Sequence, residues 1–467
     1  VLVVSPMPHE KLVLRSKKPV STIFFPPGHR LLRFLKNLEI DLDRSKIPES
    51  IDRFYALRKL SCKIKRIETR FPIEAISRLP VLSYLQLNGT GIRDLGDVLK
   101  PLMSLKTLDL SKNSLEYISS PFHPNANLSS CNFSHNKIKR ICFGGAHNIR
   151  DLDLSHNLLR DLGDTLKPLQ FLKILNLRHN LLRDVSSPFH PSANLSSCDF
   201  SHNQIEQICL GLGSTYELQD LDLSHNLLRR FELDIHVRVL NVSHNCLKHL
   251  DVSNFRVYKL HAQHNFLRDA SFVAMEYSIQ YLNLSSNYLS GFFLKEYDSF
   301  SSCTTLNLRA NCVRTVPPWI DKALPVVESL DLEDNFTRFL PDSMGHLRNL
   351  RILSLKNHRL REIPKELAQL PLRVLNLSSD IYYRLSPEME DRVDEIQNCH
   401  VQHHSLVERI IAYVLSIFES LVFCPLDSMN WLLYSRVGNF LVVAGTVGML
   451  VTVVLTRELV PVFLVYL

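Results

Sequence analysis

Seven histidines recur at regular intervals through the middle of the chain: His135, His156, His179, His202, His225, His244 and His264. Imidazole changes charge closest to neutral pH and is a common ligand of transition metals, so a regular row raises two chemistries. Rings held about 5 Å apart, one strand spacing, resist joint protonation. Some of their pKa values should then fall below the usual range, leaving a pH-sensitive surface. A row can also offer nitrogens to a metal, but zinc takes three or four converging ligands and a straight row supplies two. Ser-His-Asn is also a simple local solution for a turn, so no metal site is expected. The stretch CHVQHH at 399–404 puts Cys399, His400, His403 and His404 close together. No second ligand pair stands at finger spacing, and a solvated loop is the expectation there.

No other constellation points to catalysis. The sequence has no phosphate-binding glycine loop, no dinucleotide-binding glycine pattern, no nucleophile elbow and no H-E-x-x-H. With only 14 glycines in 467 residues, no enzyme activity, catalytic residue or cofactor is expected. The net charge of +7, from 54 basic and 47 acidic residues, is mild for this length. No run of like charge is long enough to suggest nucleic acid.

The elements that must position the histidines are repeats. NLSSCNFSHNKI at Asn127–Ile138 returns as NLSSCDFSHNQI at Asn194–Ile205, and LDLSHNLL occurs at both Leu152–Leu159 and Leu221–Leu228. These fit L-x-x-L-x-L-x-x-N-x-L. The ninth position falls at Asp43, Lys65, Thr90, Asn113, Asn136, Asn157, Asn180, Asn203, Asn226, Asn245, Asn265, Asn287, Asn311, Asn335, His358 and Asp380. On this pattern the chain resembles the leucine-rich-repeat superfamily. The resemblance implies an α/β solenoid whose units stack into a curved parallel sheet on the concave face. The connectors VPPWI (316–320), LPDSMGHL (340–347) and IPKELAQLPL (363–372) resemble those of intracellular scaffold and adaptor leucine-rich-repeat proteins.

Each L-x-L should be a short strand, its alternate side chains buried and its neighbours about 4.8 Å away. The ninth-position Asn can donate and accept at once, and so can satisfy buried backbone groups of adjacent turns. Asp43, Lys65, Thr90, His358 and Asp380 are then weaker rungs near the ends, where repeats are expected to be atypical. The histidines hold position 8, and position 5 of the same units is polar: Asn132, Asp153, Asn176, Asp199, Asp222, Asn241 and His261. The echo extends beyond single repeats. LGDVLKPL (95–102) returns as LGDTLKPL (162–169), and SSPFHP (119–124) as SSPFHP (186–191), which reads as a block of three repeats copied whole.

Cys131, Cys198 and Cys303 occupy buried leucine-type positions, and no C-x-C or C-x-x-C occurs among the ten cysteines. This favours a reducing compartment. Eight N-x-[ST] sequons, at Asn88, Asn127, Asn132, Asn194, Asn241, Asn283, Asn335 and Asn376, oppose it. Several arise automatically from the L-N-L-S of the repeat. Residues 405–423 read as an amphipathic helix, a cap on the last repeat or a membrane-surface helix. Residues 437–456 contain no charge and are long enough to span a bilayer as a helix, with Arg436 and Arg457 at the ends.

The expected organisation is an N-terminal cap or incomplete repeat at 1–34, about 16 repeats over 35–385, a C-terminal cap and amphipathic helix at 386–436, a transmembrane helix at 437–456 and an apolar tail at 457–467. The functional expectation is a membrane-anchored scaffold or adaptor in signalling. Its array would face the cytosol and hold a protein ligand on the concave face, with the membrane contacted through the C-terminal helix. The residues expected to carry binding are Arg178, His179, His202, His225, Tyr258, Lys259 and His261. Two alternatives are a fragment of an extracellular recognition receptor at the cell surface, and a regulatory subunit of an enzyme such as a phosphatase.

Overall fold

In the computed structural model the described residues lie between 2 and 402, leaving out 4–9, 17–22, 25–33 and short stretches of the later connecting loops. They belong to the compact unit Val1–His404. The amphipathic segment 405–423, the span 437–456 and the tail 457–467 fall outside the described residues. Within the described residues, no helix is long and apolar enough to cross a membrane.

Among the described residues the main sheet contains eighteen strands, from Lys11–Ser16 to Asn398–Gln402. Every pairing within it is parallel, and each strand bonds to the one before and the one after it along the chain. The ladder is therefore open, one rung per repeat. The strand Asp151–Asp153 shows why these residues choose it. Leu152 is buried and lies in register with Cys131 on one side and Leu175 on the other, while Asp151 and Asp153 point away from the core. Period-two alternation over three residues buries one apolar side chain per rung, and the stacked rungs join into one continuous core.

The first strands differ. Asn37–Ser45 and Lys59–Ile67 are nine residues long. Their position-8 residues, Leu42 and Ile64, are buried, so the strand runs on where later units turn. The sheet also reaches beyond the repeats visible as 35–385. Lys11–Ser16 pairs with Asn37–Ser45 at one end, and Asn398–Gln402 pairs with Val374–Ser378 at the other. The second pairing corrects the solvated loop expected at 399–404. Cys399 and Val401 fall in register with Leu375 and Leu377, so the stretch continues the alternation of the last repeat. His403 and His404 lie outside the described residues.

Opposite the main sheet, the connectors are varied. In the later units Pro341 and Pro364 precede the 3-10 turns Asp342–His346 and Lys365–Gln369, as their fixed φ favours. A nine-residue helix, Pro387–Glu395, follows. It is capped by Ser386, which accepts from the Met389 N–H, and it buries Met389 and Val393. Two small parallel sheets, Tyr117–Ser119 with Arg140–Cys142 and Asp184–Ser186 with Gln207–Cys209, stand 67 residues apart in the chain (184 minus 117). The copied block has thus kept its secondary structure as well as its sequence.

Candidate functional site

The exposed face of the sheet rests on three backbone devices that recur through the central units. The ninth-position asparagines form a buried ladder. Asn226 donates to the carbonyls of Phe200, Leu223 and Ser224 at 3.0, 3.0 and 3.2 Å, and accepts from the Ile205 N–H at 3.0 Å. Equivalent bonds surround Asn136, Asn180 and Asn287. The second device is an Asx turn: the position-5 side chain accepts from the N–H two residues on, as Asp153 does from Ser155 and Asn176 from Arg178.

The third device sits at position 8. All seven histidines have positive φ, between 53° and 55°. Their N–H groups donate to the position-7 carbonyl of the next unit, for example His156 to Arg178 at 2.8 Å and His202 to Ser224 at 2.9 Å. His is one of the few non-glycine residues enriched in left-handed backbone. Its recurrence here therefore has a conformational cause before any chemical one. One backbone geometry repeated seven times sends the side chains in one direction. The rings stack, with centroids 4.1 to 4.3 Å apart and planes within 26° of parallel.

Stacking decides what the row can do. The lone pairs of an imidazole lie in its ring plane, so in a parallel stack they point side by side and do not converge. Among the described residues no group of three His, Cys, Asp or Glu side chains can hold a metal ion. Five members of the row hold their protons weakly. His156, His179 and His225 are lowered from 6.5, His202 to about 4 and His244 to about 3. The expected cause was mutual repulsion, and the structure corrects the order. Burial of the rings comes first in every case; other imidazoles of the row add to it, and Arg178 does so for all but His244.

Of the residues expected to bind a partner, Arg178, His179, His202 and His225 lie side by side. His179 and His202 are 4.2 Å apart, His202 and His225 4.1 Å. Tyr258, Lys259 and His261 form a second group on the strand Val257–His261, which is two strands further along the sheet from Glu217–Asp222. Lys259 is exposed. The Tyr258 ring carries the Arg238 guanidinium 5.8 Å from its centre, and the half-buried His261 sits 4.8 Å from the Tyr281 ring.

Sequence reasoning missed a third group. Phe171 and Ile174 are each 47% exposed. Phe171 lines a surface depression of about 340 Å³ together with Arg150, Lys173 and Asn194. A signal for it existed: at the matching places in the first copy stand the small Ser104 and Thr107.

No protein-family signature matches the chain. It is 31% identical over 135 residues to human (Homo sapiens) oligodendrocyte-myelin glycoprotein, covering 28% of this chain and 30% of that protein. It is 30% identical over 92 residues to MAP kinase phosphatase with leucine-rich repeats protein 3 of Dictyostelium discoideum, covering 20% of this chain and 10% of that protein. The chain thus spans less than a third of either relative. Among solved structures it resembles a leucine-rich-repeat protein of Leptospira interrogans at a TM-score of 0.58 and 23% identity, over 78% of this chain and 95% of that one. The recurring pattern, the asparagine ladder and the parallel solenoid are those of the leucine-rich-repeat fold.

Proposed function

We propose that the chain is a membrane-anchored leucine-rich-repeat adaptor whose array faces the cytosol and whose concave face holds a protein ligand. The carrying observation is the main sheet itself. Its core positions are invariantly apolar, while the outward positions change from unit to unit, for example Asp151, Ile174, Ser197, Asp220, Val239 and Lys259 at position 3. A fold that fixes the inside and varies the outside suits recognition of another protein.

Two observations support the cytosolic side. Cys62, Cys131, Cys198 and Cys303 are free thiols in the core, and burial pushes the Cys303 thiol up to about 12. The sequon at Asn335 falls on a ladder rung that is 2% exposed. The Asn335 amide donates to Leu308, Leu332 and Glu333 and accepts from the Val313 N–H. A glycan on that nitrogen is incompatible with the rung. The cell-surface reading has one observation in its favour: Asn127 and Asn194, in the turns that enter two equivalent strands, are exposed. The anchor of the proposed adaptor is 437–456, by its length and lack of charge.

Topology tests the reading. The full chain is expressed in cells, digested with endoglycosidase, and probed with protease in sealed microsomes. No mass shift with an accessible array is the expected outcome. A shifted, protected array would replace the adaptor with a cell-surface receptor.

A further inference from the structure

The internal duplication works as a control experiment. Residues 95–143 and 162–210 align without a gap at a spacing of 67. Their core positions match closely: Leu108 with Leu175, Leu110 with Leu177, Cys131 with Cys198, Phe133 with Phe200. What differs between the copies is therefore free of the fold's demands. The differences concentrate in one repeat. Where the first copy has Ser104, Thr107, Ser111 and Ser114, the second has Phe171, Ile174, Arg178 and Leu181. Four small hydroxyl residues correspond to three large apolar side chains and a guanidinium. They belong to one repeat and follow its strand, Ile174–Asn176, in chain order as a strip: Phe171 before it, Ile174 on it, Arg178 and Leu181 after it.

The strip is chemically incomplete by itself. Phe171 and Ile174 leave nearly half their surface in water, at a cost of about 25 cal/mol for each Å² of apolar surface left uncovered. Arg150 and Lys173 share a depression with Phe171. Among the described residues none of the Arg150, Lys173 and Arg178 cations has a carboxylate within ion-pair distance, whereas Lys139 and Lys167 elsewhere on the block are paired. On the two flanking strands the carboxylates in register with Ile174–Asn176 are Asp151, Asp153 and Asp199. Asp153 and Asp199 each commit one oxygen to a backbone N–H. Asp151 is exposed in register with Ile174 and steers an anionic group away from itself, toward Lys173 and Arg178.

We propose that this strip, with Phe171, Ile174 and Arg178 at its centre and Arg150 and Lys173 at its rim, docks an acidic extended segment of a partner protein that also carries a large apolar side chain. The assignment rests on the reading of the array as a protein-binding surface and gives that surface a place and a partner chemistry. The apolar side chain covers Phe171 and Ile174, and the carboxylates meet the three cations. Repeats lacking these residues, including the first copy, do not bind the same segment.

The duplication also supplies the test variant. Phe171→Ser, Ile174→Thr and Arg178→Ser together install what the first copy already carries in the same backbone, so the fold tolerates them. The probe is a displayed library of random short peptides, selected on the full-length chain in detergent. Selected peptides should combine Asp or Glu with Phe, Leu, Ile or Trp, and lose about tenfold or more in affinity on the triple variant. The single variant Lys173→Glu, at an exposed position, should lose affinity in the same direction. Peptides that bind the triple variant undiminished but fail on a Tyr258→Ala, Lys259→Ala variant would overturn this assignment and leave the protein-binding reading standing. Selection of basic peptides would overturn it as well. No selection above an unrelated control protein would remove both.

Discussion

A single asparagine such as Asn226 holds four backbone groups from two adjacent repeats. Leaving buried polar groups unmet costs about 1–3 kcal/mol each, and some carbonyls can recruit water. Asn226→Ala should therefore destabilise by about 3 kcal/mol, read as a lower urea midpoint. The histidines carry a different obligation. Left-handed backbone costs about 1–2 kcal/mol for an ordinary side chain and more for a β-branched one. His225→Val should thus be less stable than His225→Asn by at least about 1 kcal/mol, and equal midpoints would refute the conformational account of the row. The sign of its pH dependence follows from burial. His202 and His244 bind protons at about 4 and 3 when folded, against 6.5 as their ordinary value, so the unfolded chain takes up more protons as pH falls. Stability is then complete above 6.5, declines through the window from 6.5 toward 4 and 3, and levels off below it. Urea midpoints measured at several pH values should show this slope, and His244→Asn should flatten it.

At the scale of elements, the repeat pattern was legible because it is a covalent periodicity that maps directly onto a spatial one. Position 9 faces backbone at the asparagine rungs such as Asn113, Asn226 and Asn335, so the double hydrogen-bonding capacity of Asn could be read as a ladder from sequence alone. The left-handed turn at position 8 was less visible. His side chains invite chemical explanations, and the decisive clue was the identity of the other occupants: Lys112, Ser286, Ala310 and Asp334 share the positive φ. Their one common property is the backbone. Gly89 marks where this turn begins. It has φ +68°, and a Cβ there would stand 2.9 Å from the Ile64 carbonyl oxygen. Gly89→Ala should cost about 1–2 kcal/mol and loosen amide protection in Lys59–Ile67 and Tyr84–Asn88 before the rest of the sheet, as hydrogen exchange would show. The Phe171 strip escaped the sequence reading for another reason. Exposure is a property of neighbours in space, and only a comparison of the two copies turns Ser104 and Phe171 into a contrast. The terminal strand Asn398–Gln402 was hidden because it lacks the leucine pattern and is recruited by the open edge of Val374–Ser378.

The repeat array behaves as a one-dimensional stack, since among the described residues each strand of the main sheet bonds only to its predecessor and successor. In such an array stability is close to a sum of units and interfaces, and internal units should be removable if the cut preserves an interface. The duplication offers such a cut. Deleting 128–194 joins Asn127 to Leu195, and the new junction reads N-L-S-S-C as both parents do. The strand Thr107–Asp109, which now pairs with Ser130–Asn132, would meet Ser197–Asp199 instead. Cys198 would then occupy the register place of Cys131, and Phe200 that of Phe133. The shortened chain should fold, with unchanged circular dichroism per residue and a urea midpoint close to that of the parent. It should also lose all binding that depends on Phe171, Ile174 and Arg178, because the deletion removes that repeat entire. A shortened chain that misfolds would show that the units are coupled beyond nearest neighbours. One that folds and keeps the binding would move the docking site to the repeats that remain.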